Sequence, residues 1–203
     1  MNSTVALFGG SFNPIHVAHL AVARAAMEAL GLTRLVLVPS ARPPHKPPAD
    51  LVADTHRLAM CRLAVADDPR FEVSDVELRR QGPSYTVDTL ADFRRRRPEA
   101  SLVLLVGADM LRDLHRWHRF DEIVRLARVV TVPRPGVELG RLEPLRRALG
   151  DAVADALLAD VLATPRMDVS ATDIRRRIRQ GLPIDGLVPP AVADYIRDHR
   201  LYR

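Results

Sequence analysis

A chain of 203 residues, 47% of them hydrophobic, is long enough to bury one sizeable core and too short for two large domains. No apolar run reaches membrane-spanning length, and the first residues lack a basic stretch followed by an apolar one, so a cytoplasmic protein is expected. The single cysteine, Cys61, excludes an internal disulfide and a cysteine zinc cluster, and a formal charge of +5 suits small anionic ligands without arguing for nucleic acid.

Thr4 to Phe8 has the length and β-branched content of a buried strand. Leu20, Ala23, Met27 and Leu30 fit one face of a helix closed by Gly31. Between them runs Gly9-Gly10-Ser11-Phe12-Asn13-Pro14-Ile15-His16-Val17-Ala18-His19. Paired glycines let a backbone pass close to a ligand, and a helix start offers free N–H groups and a positive dipole end to an anion. His16 and His19, three residues apart, would face one bound group and donate hydrogen bonds to phosphate oxygens.

Arg34 to Pro39 reads as a second strand, parallel to the first because a helix intervenes. Residues 40–48 are proline-rich and carry Arg42, His45 and Lys46, the only lysine; they form either a basic arm over phosphates or a solvated connector. Asp54 to Ala66 reads as a helix with Cys61 packed inside, and 70–73 and 75–78 as short strands. Gly82-Pro83 makes a turn, with Ser84 as N-cap of a helix reaching about Arg97. The arginines 94–97 fall in its last turn, where cations are favoured and usually solvated.

Ser101 to Val106 is a strongly apolar strand ending in Gly107-Ala108-Asp109, and Asp109 is placed to cap the next helix. Ligands of open parallel sheets collect at such carboxyl ends, so Gly107 and Asp109 can share a crevice with the first motif. Trp117, the lone tryptophan, reads on its own as packing. Arg128 to Val132 is a fifth strand, followed by a turn that brings Arg134 toward the crevice. A helix is expected over 142–158 and a last strand over 161–163. Ser170 and Asp173 have capping-box spacing at the start of a helix burying Ile174 and Ile178. That leaves Thr172 and Arg175 for a triphosphate, with Arg176, Arg177 and Arg179 solvated or paired. The expected architecture is α/β and doubly wound, Rossmann-like, with a mostly parallel sheet and helices on both faces. It forms one domain, 1–203, with a small helical portion over about 165–203 packed on it.

Gly10-Ser11-Phe12-Asn13-Pro14-Ile15-His16-x-x-His19 resembles the signature of the nucleotidylyltransferase superfamily. Pro43-Pro44-His45-Lys46, Gly82-Pro83-Ser84-Tyr85-Thr86, Gly107-Ala108-Asp109, Trp117-His118 and Val169-Ser170-Ala171-Thr172-Asp173-Ile174-Arg175 follow in the order of the bacterial nicotinate mononucleotide adenylyltransferases. Ala18 stands where that family usually has glycine, and His118 where tyrosine is usual. The resemblance implies transfer of an adenylyl group from ATP to nicotinate mononucleotide, giving deamido-NAD and pyrophosphate in NAD biosynthesis. His16, His19, Lys46 and Arg175 would be catalytic. Gly9, Gly10, Ser11, Phe12, Gly107, Asp109, Arg134, Ser170 and Thr172 would join them around ATP. Ser84, Tyr85, Thr86, Trp117, His118, His45 and Lys46 would take the mononucleotide, with Trp117 stacked on the pyridine ring. Mg2+ is expected on the triphosphate, held by phosphate oxygens and water rather than by dedicated protein ligands.

Two alternatives stay open at this stage. One is another adenylyltransferase of the superfamily, such as that acting on pantetheine phosphate, against which Ser84-Tyr85-Thr86 and Trp117 argue. The other is a nucleotide-sensing module without turnover. Nothing in the chain sets an oligomeric state, and neither nucleic acid nor membrane is an expected partner.

Overall fold

The computed structural model describes residues 4–42, 51–134, 136–165 and 167–203. Five strands, β1 (Thr4–Gly10), β2 (Leu35–Pro39), β3 (Phe71–Val73), β4 (Ser101–Gly107) and β5 (Arg128–Val132), form one all-parallel sheet in the order β3-β2-β1-β4-β5. The chain winds outward from β1 to β3, then returns to the other side of β1 with β4. Strand order therefore reverses between β1 and β4, where Phe8 lies opposite Leu105.

Both faces of the sheet are covered, which is why its central strands are continuously apolar rather than alternating. Ala6, Leu35, Leu37, Val103, Leu105 and Val130 point to one face. There they pack under α1 (Val17–Ala29), α2 (Asp54–Ala64), α8 (Ala171–Arg179) and α9 (Pro190–Asp198). Their neighbours Val5, Leu7, Val36, Val38, Leu104 and Val129 point the other way, toward α3 (Thr86–Arg96), α4 (Ala108–Arg112), α5 (Phe120–Leu126), α6 (Glu143–Leu149) and α7 (Asp151–Ala159). Each such Val, Leu or Ile contributes about 1.5–3 kcal/mol relative to exposure. The C-terminal helices add Ile174, Val192 and Ile196 to the first of these cores, and the turn after α9 adds Leu201. No helix among the described residues is long and apolar enough to cross a membrane.

The doubly wound parallel sheet matches the expectation, and several local elements differ from it. Residues 76–79 form a turn instead of a strand. The turn buries the adjacent Val76 and Glu77 together, and Glu77 is held by the Thr89 hydroxyl at 2.8 Å. The helix expected over 142–158 is broken at Gly150, whose φ of 86° ends α6 and lets α7 set off anew. Val161 makes a single bridge to Thr131 rather than a strand. Ser84 does not cap α3, whose N-cap is Tyr85; its hydroxyl instead accepts from the N–H groups of Ala41 and Arg42, both at 3.1 Å. The arginine run 94–97 is paired rather than merely solvated. Arg94 donates to the Ala100 and Leu126 carbonyls, Arg95 and Arg96 pair with Asp92, and Arg97 pairs with Glu72. Cys61 is fully buried, and burial pushes its thiol pKa far up, so it is inert packing.

Candidate active site

The carboxyl ends of β1 and β4 open into a cleft of about 1640 Å³. Gly9, Gly10, Ser11 and Phe12 line it from the end of β1, His16 and His19 from the start of α1, and Gly107 and Asp109 from the end of β4. Arg134 lines it beyond β5, and Ser170, Thr172 and Arg175 from the start of α8. Ser84, Tyr85, Thr86, Trp117 and His118 form the wall made by α3 and the 3-10 turn Leu114–Arg116. All the anticipated residues within the described chain thus meet in one place. His45 and Lys46 lie outside the described residues.

The paired glycines do different jobs. A Cβ on Gly10 would come within 3.1 Å of the buried Phe12 ring, whereas a Cβ on Gly9 would meet nothing within 4 Å. A side chain at Gly10 would crowd the Phe12 ring, and Gly9 leaves space in the cleft. The left-handed residue of the turn is neither glycine but Phe12, at φ 43°. Gly107 has a third reason: a Cβ there would sit 2.6 Å from the Asp109 carboxylate.

The two imidazoles stack with ring centroids 3.6 Å apart. His19 Nδ1 accepts the His16 main-chain N–H at 3.2 Å, so its proton resides on Nε2 when the ring is neutral and Nε2–H is a donor. The Phe12 ring meets His19 edge-on at 5.2 Å and limits its rotation. Two charged rings at this spacing would repel by about 4–5 kcal/mol at an effective dielectric of 20. Burial, reinforced by the positive charge of Arg134, pulls the pKa of His16 down to about 4, so at neutral pH it is an uncharged ring.

The expected ring of free helix N–H groups is mostly absent. At the start of α1 the N–H of His16 goes to the His19 ring, that of Val17 to the Leu187 carbonyl at 3.0 Å, and that of His19 to the His16 carbonyl. An anion here meets side chains more than main chain. Nor does Asp109 cap α4, whose N-cap is Gly107; its carboxylate takes a hydrogen bond from Arg134 at 3.0 Å. Ser170 does cap α8, accepting from the Asp173 N–H at 3.1 Å, while the Asp173 carboxylate pairs with Arg176. Arg175 donates to the Asn13 carbonyl at 2.9 Å and to the Thr172 hydroxyl at 3.4 Å, tying α8 to the first motif. On the opposite wall no side chain caps α3, whose first residue, Thr86, lines the cleft. Tyr85 packs on His118 with centroids 4.3 Å apart.

Two further charged residues, Arg57 and Glu77, are buried and carry no functional motif in the sequence. Arg57 could have been found: it is three and four residues before Met60 and Cys61, on the apolar stripe of α2. Glu77 gave no such signal, because only the turn at 76–79 buries it.

The depressed pKa of His16 has a measurable sign. The unfolded chain binds a proton near pH 6.5 and the folded chain near 4, so the stability His16 confers is complete above pH 6.5 and lost as pH falls through 4. At about 1.4 kcal/mol per unit, that loss is at most about 3.5 kcal/mol. Denaturant melts of the wild type and His16→Gln are therefore expected to converge between pH 6.5 and 4; a constant gap would contradict a neutral buried ring.

The cytidylyltransferase-like family model matches residues 7–177. A Thermus thermophilus protein named probable nicotinate-nucleotide adenylyltransferase is 44% identical over 199 residues, covering 98% of this chain and 99% of the relative. One of the same name from Herpetosiphon aurantiacus is 43% identical over 199 residues, covering 98% of both. Among solved structures, Plasmodium falciparum nicotinic acid mononucleotide adenylyltransferase complexed with NaAD superposes with a TM-score of 0.78 at 17% identity, covering 99% of this chain and 98% of that one, a likeness of fold. From its full-length relatives and its sheet, this chain belongs to the cytidylyltransferase-like nucleotidyltransferases and, within them, to the nicotinate-nucleotide adenylyltransferase family.

Proposed function

We propose that this chain transfers the adenylyl group of ATP to nicotinate mononucleotide, forming deamido-NAD and pyrophosphate, and that residues 1–203 act as one cytoplasmic unit in doing so. The observation that carries the reading is the two-ended cleft. Stacked imidazoles and the α8 arginine line one end, and an uncapped helix start beside an indole lines the other. The names of relatives about 40% identical over nearly the full chain support the same reaction.

A mononucleotide 5′-phosphate oxygen attacks the α-phosphorus of ATP in line; the new P–O bond forms as the bond to the bridging β-oxygen breaks and pyrophosphate leaves. The nucleophile is already ionised near neutral pH, so alignment and charge stabilisation are the chain's contribution. His19 donates Nε2–H to the α-phosphate, and neutral His16 packs behind it and orients it. Arg175, Thr172 and Ser170 hold the departing phosphates at the start of α8, and Arg134 exchanges Asp109 for a phosphate oxygen. By sequence Lys46 supports the same departing phosphates, and both His45 and Lys46 are assigned to the mononucleotide. Gly9, Gly107 and Asp109 border the nucleoside. At the other end Trp117 stacks on the pyridine, and the N–H groups at Thr86 and His118 take its carboxylate, which a helix start favours. Tyr85 and Ser84 set that wall.

The described residues contain no group of three or more His, Cys, Asp or Glu side chains able to hold a metal. A magnesium ion would be carried on the triphosphate, with Asp109 a carboxylate lining the cleft at the end of β4. When bound, that ion neutralises phosphate charge.

The test is pyrophosphate release from ATP and Mg2+ with nicotinate mononucleotide, nicotinamide mononucleotide or pantetheine phosphate. Release is expected with a pyridine mononucleotide and not with pantetheine phosphate or ATP alone; the reverse would overturn the reading. In the same assay Trp117→Ala should raise the KM for mononucleotide about tenfold, the worth of one stacked ring, and leave the KM for ATP nearly unchanged. Equal rises in both would mean that the indole only packs.

A further inference from the structure

Arg57 lies on α2, on the stripe shared with Met60 and Cys61, and is 1% exposed. Its guanidinium donates to three main-chain carbonyls from three separate segments: Ser11 at 2.8 Å, Val52 at 3.2 Å and Ala41 at 3.4 Å. Ser11 begins the turn that delivers His16 and His19, Ala41 follows the end of β2, and Val52 precedes α2. The same turn is gripped from two further directions. The Val52 N–H donates to the Asn13 side-chain oxygen at 3.3 Å, and Arg175 takes the Asn13 carbonyl.

A buried cation hydrogen-bonded to carbonyls rather than to a carboxylate carries a desolvation cost that an apolar side chain of similar volume would avoid. Packing therefore does not account for it. What an apolar residue could not supply is a planar fork that fixes three loops at set distances, and a lysine ammonium, a point donor, could not reproduce that geometry. Among the described residues Arg57 does not line the cleft, so it acts on the chemistry through the segments it holds, of which the Ser11 turn carries the histidines.

We propose that Arg57 is a positioning residue for the adenylyl transfer described above, on which this inference rests. It holds the Ser11–Asn13 turn so that the His19 ring meets the α-phosphate. The Ser11 carbonyl is its shortest contact, and the His16–His19 pair follows within eight residues along a turn with a left-handed residue at Phe12.

Arg57→Lys, and Arg57→Gln as a second variant should the first not fold, would be compared with the wild type in three measurements. These are cooperative unfolding, steady-state pyrophosphate release, and imidazole nitrogen shifts of histidine-labelled protein without substrates. A folded variant is expected to lose about 10- to 100-fold in kcat, the scale of a misplacement near 1 Å, while the KM for mononucleotide stays within about twofold. The His19 nitrogen signals are expected to move, with the lysine variant retaining more activity than the glutamine one. A folded variant with wild-type kcat, or one whose kcat and both KM values change together while the His19 signals stay put, would overturn the proposal. If the wild type itself released no pyrophosphate, the functional reading would fall, and the histidine shifts would still decide whether Arg57 sets the turn.

Discussion

His19→Ala is expected to lower kcat by about 10²- to 10³-fold, the usual loss when one donor to a developing charge is removed. The KM for mononucleotide should barely change, because that ligand is held by the far wall. The ring is half-buried and accepts the His16 N–H, and loss of that hydrogen bond should lower stability by about 1 kcal/mol. His19→Asn sharpens the test. Its side-chain oxygen can still accept from that N–H and should restore stability, yet its shorter amide cannot reach the phosphate and should leave kcat low. Thermal melts beside steady-state rates would check both. Near-wild-type kcat in either variant would remove the imidazole from the chemistry.

The second large effect is at Gly9, where stability and binding should move in opposite directions. Gly9→Val adds a β-branched residue to a strand with no atom within 4 Å of the new Cβ, and replacing a strand glycine this way stabilises by up to about 1 kcal/mol. The added methyls project into the cleft, so the KM for ATP should rise about tenfold or more. Gly10→Val, one residue on, should instead destabilise, because its Cβ meets the Phe12 ring. Calorimetry and ATP titration on the two variants separate a glycine kept for a ligand from one kept for packing. Unchanged ATP binding in Gly9→Val would place the nucleotide elsewhere.

Much of this architecture was legible because it depends on local pattern. The apolar runs at Thr4–Phe8, Leu35–Val38 and Ser101–Val106 are strands covered on both faces, and the Gly-rich turn with its histidine pair comes between the first and its helix. What could not be read depends on contacts distant in sequence. Ser84 has the chemistry of an N-cap, but Ala41 and Arg42 claim its hydroxyl, and Asp109 is drawn to Arg134 instead of its own helix. Alternation at 75–78 suggested a strand, yet Glu77 turns inward to Thr89. Helix geometry alone leaves the first N–H groups of α1 open to an anion, yet Leu187, from far along the chain, closes that of Val17. Arg57 was passed over because arginine in a helix is usually a surface residue.

The contacts of Asn13 with Arg175 and of Val17 with Leu187 set an order on how this protein comes into being. Once Val132 has been added the whole sheet and Arg57 are in hand, while Arg175 and Leu187, which complete the hold on the histidine turn, are still to be made. Nucleotide capture is accordingly a late event in synthesis: a nascent chain can own its scaffold without yet holding ATP, and competence arrives with the final helices.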